Sequence, residues 1–345
     1  MEQIFFISSC HPTAADGGIY TCKLSETGEP EILHHTSLPS SGYLAFDAEK
    51  KILYAACGID DTTNGVAAFT INSDASLSLL GEIQPTGGRS SCHVTVSANR
   101  KFLYTANYLS GSFTEFCLAP DGSIAPGARI IHHHGCGPNK ARQEMPHPHC
   151  CVFSPDGRFL AVPDLGNDTV FCYPFDENDG IAENSPVINH LEAGCGPRHI
   201  LFDPEKSFAY VIAELGNTLY SFQWDNGKLL PIEELFLLPR GASMPSKAAA
   251  LRFSDTLDFM VCSNRGFDSL ATVELDGHGG IFPAALTLSG GSSPRDVNFI
   301  GANFFAAANE FSDEVRFFDF DNSSGILSPN GYVLNMPRPL CIMSM

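Results

Sequence analysis

His149, Arg198, Glu214, Arg265 and Arg295 stand at recurring positions of a repeated sequence unit: three at one, Glu214 at a second and Arg265 one residue beyond it. Together they could hold an anion and move a proton beside it. Arginine meets a carboxylate or phosphate with paired N–H groups. A histidine near a carboxylate, here His149 near Glu214 or Asp164, offers acid–base groups. On a chain with 20 basic against 39 acidic residues and a net charge of −19, any gathering of arginines must be local.

The unit that positions them can be read by self-similarity. SSCHVTVSANRKFLYTANYLSGSFTEF, HPHCCVFSPDGRFLAVPDLGNDTVFCY and GPRHILFDPEKSFAYVIAELGNTLYSF share one pattern, with further copies before and after. Each reads as strand A, a tight turn, strand B, a short loop, strand C, a DG- or NG-type turn, and strand D. Strand B ends on Cys57, Asn107, Asp164, Glu214, Asn264 and Asn309, at steps of 50, 57, 50, 50 and 45 residues. The N-terminal QIFFISSCHP matches a strand B with Ser9 at this anchor, and the C-terminal PRPLCIMSM matches a strand A with nothing after it. Six full units plus one split unit make seven. Four-stranded repeats of this length are propeller blades. The expectation is an all-β, seven-bladed β-propeller over residues 1–345. Its blades are antiparallel, and the C-terminal strand closes the ring on the N-terminal blade.

Blade geometry predicts where the polar residues meet. Strand A begins at the end of the ring where strand B finishes, so both positions face one mouth of the central channel. The starts of strand A carry Cys92, His149, Arg198, Ala249 and Arg295. Arg265 and Glu310 follow the strand B anchors. His149, Arg198, Glu214 and Arg265 are the candidate catalytic groups. His147, Asp164, Asn107, Asn264, Arg295 and Asn309 are candidate substrate contacts. Plainer roles stand beside these: Asp164 as a blade-to-blade acceptor, the asparagines as loop formers, Arg295 as an ion-pair partner of Glu310. Asp268, aligned with Asp168 and Asp313, reads as a turn residue.

The long step of 57 marks an insertion before blade 4, HHHGCGPNKARQEMPHPH, on the same mouth. Long loops over a pocket tend to be functional. Its His132, His133 and His134 raise a metal site, but neighbours on a strand alternate faces and no ordered carboxylate spacing accompanies them. The expectation is no metal and no cofactor. No GxSxG element is present, which favours attack by water over an acyl-enzyme.

HPHCCVFSPDGRFLAVPDLGND, GPRHILFDPEKSFAYVIAELGNT, SNRGFDSLA and PRDVNF resemble the lactonase family of seven-bladed propellers. That family includes propeller-type 6-phosphogluconolactonases and carboxy-cis,cis-muconate lactonizing enzymes. The likeness covers essentially the whole chain. It implies a site at His149, Arg198, Glu214 and Arg265 and hydrolysis of a sugar lactone, foremost 6-phosphogluconolactone. Ring closure of a carboxymuconate and a non-catalytic binding platform are the alternatives. Ala249 and Gly42 depart from polar residues at their blade positions.

The expected partner is a small anionic substrate, a phosphorylated or carboxylated lactone. So acidic a chain is a poor binder of nucleic acid or anionic membrane. It has no apolar run of membrane-spanning length. The opening MEQIFFISSCHP lacks the features of a signal peptide. Twelve cysteines scattered through apolar runs without a CxxC pair read as reduced thiols of a cytoplasmic protein. The high charge fits a monomer.

Overall fold

The computed structural model describes residues 2–11, 17–60 and 63–345. Seven antiparallel sheets follow one another, each ordered A-B-C-D by hydrogen bonding. Blade 1 takes its strand A from Pro339–Ser344, which pairs with Gln3–Ser9 and closes the ring as expected. In blades 2 and 4 strand D is broken into two short pieces.

Composition explains the layering. Strand B is largely apolar and buried up to its terminal anchor residue, as in Phe208–Ala213 and Phe304–Asn309. Strand D is largely exposed, as in Lys228–Phe236. The apolar faces have only the neighbouring blade to pack against. The core is therefore seven clusters, each shared by two adjacent blades. Between blades 6 and 7, for example, Val261 and Leu270 meet Val297, Phe305 and Phe318. The seam between blades 7 and 1 joins Phe317 to Phe5 and Ile342. Burial of such side chains contributes roughly 1.5–3 kcal/mol each.

One irregularity recurs where strand A begins. Pro197 and His199 pair with Ala213 and Ile212, leaving Arg198 out of the ladder. Arg295 is left out between Pro294 and Asp296, Cys92 between Ser91 and His93, and Leu340 between Pro339 and Cys341. A β-bulge bends the strand and re-aims the extra side chain. Here it turns the start-of-A residue toward the channel.

Candidate active site

A cavity of about 660 Å³ opens at one mouth of the channel. His149, Glu214, Arg265 and Arg295 line it, and Arg198 lines a second chamber of about 320 Å³ that shares Cys92, Arg295 and Glu310 with the first. The bulges and strand ends thus bring together residues separated by more than a hundred positions.

Glu214 is the hub. Arg142 Nη2 donates to its Oε1 at 2.6 Å, and Arg265 Nη2 donates to its Oε2 at 2.6 Å. Arg198 Nε lies 3.2 Å from Oε2. Burial works to raise the Glu214 carboxyl, but Arg265, Arg198, His149 and Arg142 together outweigh it and hold it well below the usual range. It is an anion at any working pH and a weak base. Glu310 forms a second hub, 2.6 Å from Arg338 Nη2 and 3.4 Å from Arg295 Nη1. The pairing of Arg295 with Glu310 expected from sequence is present.

His149 is buried at the cavity wall. Burial first, then the charge of Arg198, holds its ring well below the ordinary histidine value, so it is neutral at pH 7. Its Nδ1 is 3.8 Å from Cys92 Sγ. Burial pushes that thiol up to about 12, which makes it no nucleophile. Next to His149 runs a column of packed rings, two of which, His199 and Tyr43, line the second chamber. His149 and His199 rings are 5.4 Å apart, His199 and His93 5.7 Å, and His93 and Tyr43 4.2 Å. Arg252 is bonded to Asp296 at 2.8 Å and to Tyr43 at 3.1 Å.

Other expected contacts lie elsewhere. Asp164 does not line the cavity. It is fully buried, accepts from the His147 backbone N–H at 2.6 Å and sits 2.6 Å from His133 Nδ1. His147 also lies outside the lining. Its Nδ1 is 2.8 Å from the Tyr108 carbonyl and its ring stacks on Tyr108 at 4.4 Å. Asn107, Asn264 and Asn309 are fully buried and bond to Thr114 or to the carbonyls of Leu237 and Ser289. The physical reason is common to them: the anchor side chain turns into the blade to satisfy loop polar groups, and reaches the channel only where it is as long as glutamate. The histidine tract alternates as a strand should, with His132 and His134 exposed and His133 buried on Asp164. Among the described residues no cluster could hold a metal ion.

Three cavity groups were missed as site residues. Arg142 was noted only as part of the insertion. Its neighbour Gln143, fully buried, fastens the loop by donating to the Leu165 carbonyl at 2.9 Å. Lys247 is the first residue of strand A of blade 6, and Arg338 lies just before strand A of blade 1. Arg338 sits in PRPL, two residues ahead of the position held by the arginines of GPRH and SPRD, so alignment passes over it.

Five cations line the main cavity: Arg142, Lys247, Arg265, Arg295 and Arg338. They face two carboxylates, each already held by arginine. Buried Arg142 Nη1 and Arg265 Nε have no hydrogen-bond acceptor in the structure. Free donors in excess positive charge suit a small anion.

The family described as "Lactonase, 7-bladed beta-propeller" matches residues 5–344. This chain belongs to that family. It is 30% identical to the 6-phosphogluconolactonase of Bacillus subtilis (strain 168), over 94% of this chain and 93% of that one. The periplasmic gluconolactonase of Pseudomonas aeruginosa superposes with a TM-score of 0.93 at 25% identity, covering 100% of this chain and 99% of the other. A protein of Lactobacillus plantarum superposes at 0.92 with 27% identity and 100% of both chains. Lactone hydrolysis is accordingly the class of activity. The expectation of a lactonase propeller, drawn from HPH, GPRH and SNRG, holds.

Proposed function

We propose that this protein hydrolyses a phosphorylated sugar lactone, with 6-phosphogluconolactone as substrate. The observation that carries the choice is the cationic excess of a cavity whose two carboxylates are both already paired, on a chain of net charge −19. A neutral lactone needs no such excess. One relative is named for the phosphorylated lactone and another for gluconolactone, and the charge of the cavity supports the phosphorylated one.

In this reading Arg198 and Arg265 hold the lactone carbonyl and stabilise the oxyanion as water attacks. Preorganised charge of this kind is usually the largest catalytic contribution. Neutral His149 takes the proton from water and returns it to the ring oxygen as the C–O bond breaks. Such a general base contributes about 10²–10⁴-fold. Ionised Glu214 holds the arginines in place and favours the imidazolium that forms between the two proton transfers. Water is consumed, and the products are one carboxylate and one hydroxyl. The proposed setting is a monomer in the cytoplasm, in keeping with twelve free cysteines.

Acid release from 6-phosphogluconolactone, gluconolactone and a carboxymuconate tests the proposal. Faster turnover of the phosphorylated lactone is expected. A preference for gluconolactone overturns the phosphate assignment, and turnover of the carboxymuconate alone overturns hydrolysis.

A further inference from the structure

Asp168 lies in the turn between strands B and C of blade 4, with φ of 55°, and is buried. Its Oδ1 accepts from Gln143 Nε2 at 2.7 Å and from the Gly196 backbone N–H at 2.8 Å. Its Oδ2 accepts from the Gly194 N–H at 2.7 Å. Gln143 immediately follows Arg142, and Gly196 precedes Arg198 by two residues.

The same turn position latches the next blade elsewhere in the ring. Asp268 Oδ1 accepts from Ser293 N–H at 2.8 Å, Asp313 Oδ1 from Arg338 N–H at 2.8 Å, and Asn64 Oδ1 from Ser90 N–H at 2.6 Å. Each bonded N–H lies two residues before a bulged residue: Arg295, Leu340 and Cys92. The latch therefore fixes where the bulge begins, and with it the side chain the bulge presents. In blade 4 the carboxylate also holds the inserted loop through Gln143.

We propose that Asp168 is a positioning residue of the active site, one buried carboxylate that fixes both Arg142 and Arg198 against Glu214. The kinetic part of this rests on the lactonase reading; the geometric part does not. Two of the three guanidinium groups on Glu214 come from chain segments that Asp168 ties down. The third, Arg265, comes from blade 6, and the other titratable groups facing Glu214 are His149 of blade 4, Lys247 of blade 6 and Tyr108 of blade 3. Beside Asp168 itself lies the buried Cys195 thiol. Loosening Arg142 and Arg198 removes positive charge from Glu214 without touching it.

The test pairs Asp168→Gly, which tolerates the positive φ, with Asp168→Asn, which keeps an oxygen for Gln143 and Gly196. Asp313→Gly removes an equivalent latch that serves Arg338 and Glu310 instead. The Glu214 carboxyl is titrated by carbon NMR, and kcat and KM are measured on 6-phosphogluconolactone. Asp168→Gly should move the Glu214 titration up toward the ordinary carboxylate range and lower kcat/KM by about 10–100-fold, as supporting residues commonly do. Asp168→Asn should recover most of both, and Asp313→Gly should leave the Glu214 titration in place. An unmoved titration in Asp168→Gly, with rate lost only in proportion to unfolded protein, overturns the proposal. Should Asp168→Gly fail to fold, Asp168→Ala, which also removes both acceptor oxygens, is titrated in its place, and an unmoved Glu214 titration there does the same. A wild-type enzyme inactive on every lactone defeats the functional reading, while the NMR titration still decides this one.

Discussion

Arg142 Nη2 and Glu214 Oε1 meet at 2.6 Å across 72 residues of chain. The contact joins the inserted loop before blade 4 to the end of strand B in blade 5. It makes that loop a wall of the site rather than a cover over it. It also gives Glu214 a third arginine, which changes what the carboxylate can do: an acid–base group becomes a fixed negative centre around which cations are arranged.

Glu214→Gln keeps the shape of this centre and removes its charge. The expected loss in kcat is about 10²–10³-fold, as for removal of one preorganised charge-stabilising group. Because the cavity becomes more positive, binding of the product anion should tighten while turnover falls, which calorimetry with 6-phosphogluconate measures. Stability at pH 7 should drop by about 3 kcal/mol, since buried Arg198 and the half-buried Arg265 and Arg142 lose their partner. The folded carboxyl is held below its unfolded value near 4.3. Its contribution is therefore complete above that value and fades only as pH falls through the lower folded one. The mutant and wild-type melting curves should converge only in strong acid.

The histidine column should make the protein acid-sensitive in a different window. His93 is held down to about 3 by burial and by Arg252 and Arg198, and His149 and His199 are lowered as well. The unfolded chain binds these protons near pH 6.5 and the folded chain does not. Stability is thus full above about 6.5 and falls as pH drops, by about 1.4 kcal/mol per pH unit for each such ring. His93→Gln should flatten the slope of melting temperature against pH between 6 and 4. An unchanged slope would mean that His93 is protonated in the folded state.

Catalysis should outlast ordinary histidine titration. With His149 neutral well below pH 6.5, kcat/KM for the lactone should stay level from pH 8 down to about 6 and decline only in more acid buffer. A half-maximal point at 6.5 in a pH–rate profile would assign the base to an unburied histidine.

Lys247 offers a clean separation of substrate classes. It lines the cavity without an ion-pair partner among the described residues, and burial beside Arg142 lowers its ammonium. Lys247→Met should lower kcat/KM for 6-phosphogluconolactone by about tenfold, near the 1.4 kcal/mol of one charge-assisted contact. Gluconolactone hydrolysis should be unaffected. Equal losses on both substrates would place the lysine against the lactone ring instead of the phosphate.

Blade count, strand order, ring closure and the shared mouth were legible because they follow from a repeat whose period survives divergence. His149, Arg198, Glu214 and Arg265 were legible because blade geometry places start-of-A and end-of-B residues on one face. Asp164 was legible as a blade-to-blade acceptor but its partner was not, since His133 arrives through an insertion with no counterpart in the other blades. Arg142 was hidden for the same reason: nothing in the repeat gives the path of that loop. Asn107, Asn264 and Asn309 share a position with Glu214 yet turn inward, a distinction of side-chain length that alignment does not weigh.

The seal formed by Pro339–Ser344 against Gln3–Ser9 has a consequence for folding. The first blade cannot be completed by neighbouring sequence alone, because the strand it lacks is more than three hundred residues away. Arg338, a lining residue of the cavity, stands directly before that strand. Detachment of the strand would bare a sheet edge, open the ring and unseat a cation of the pocket in a single event.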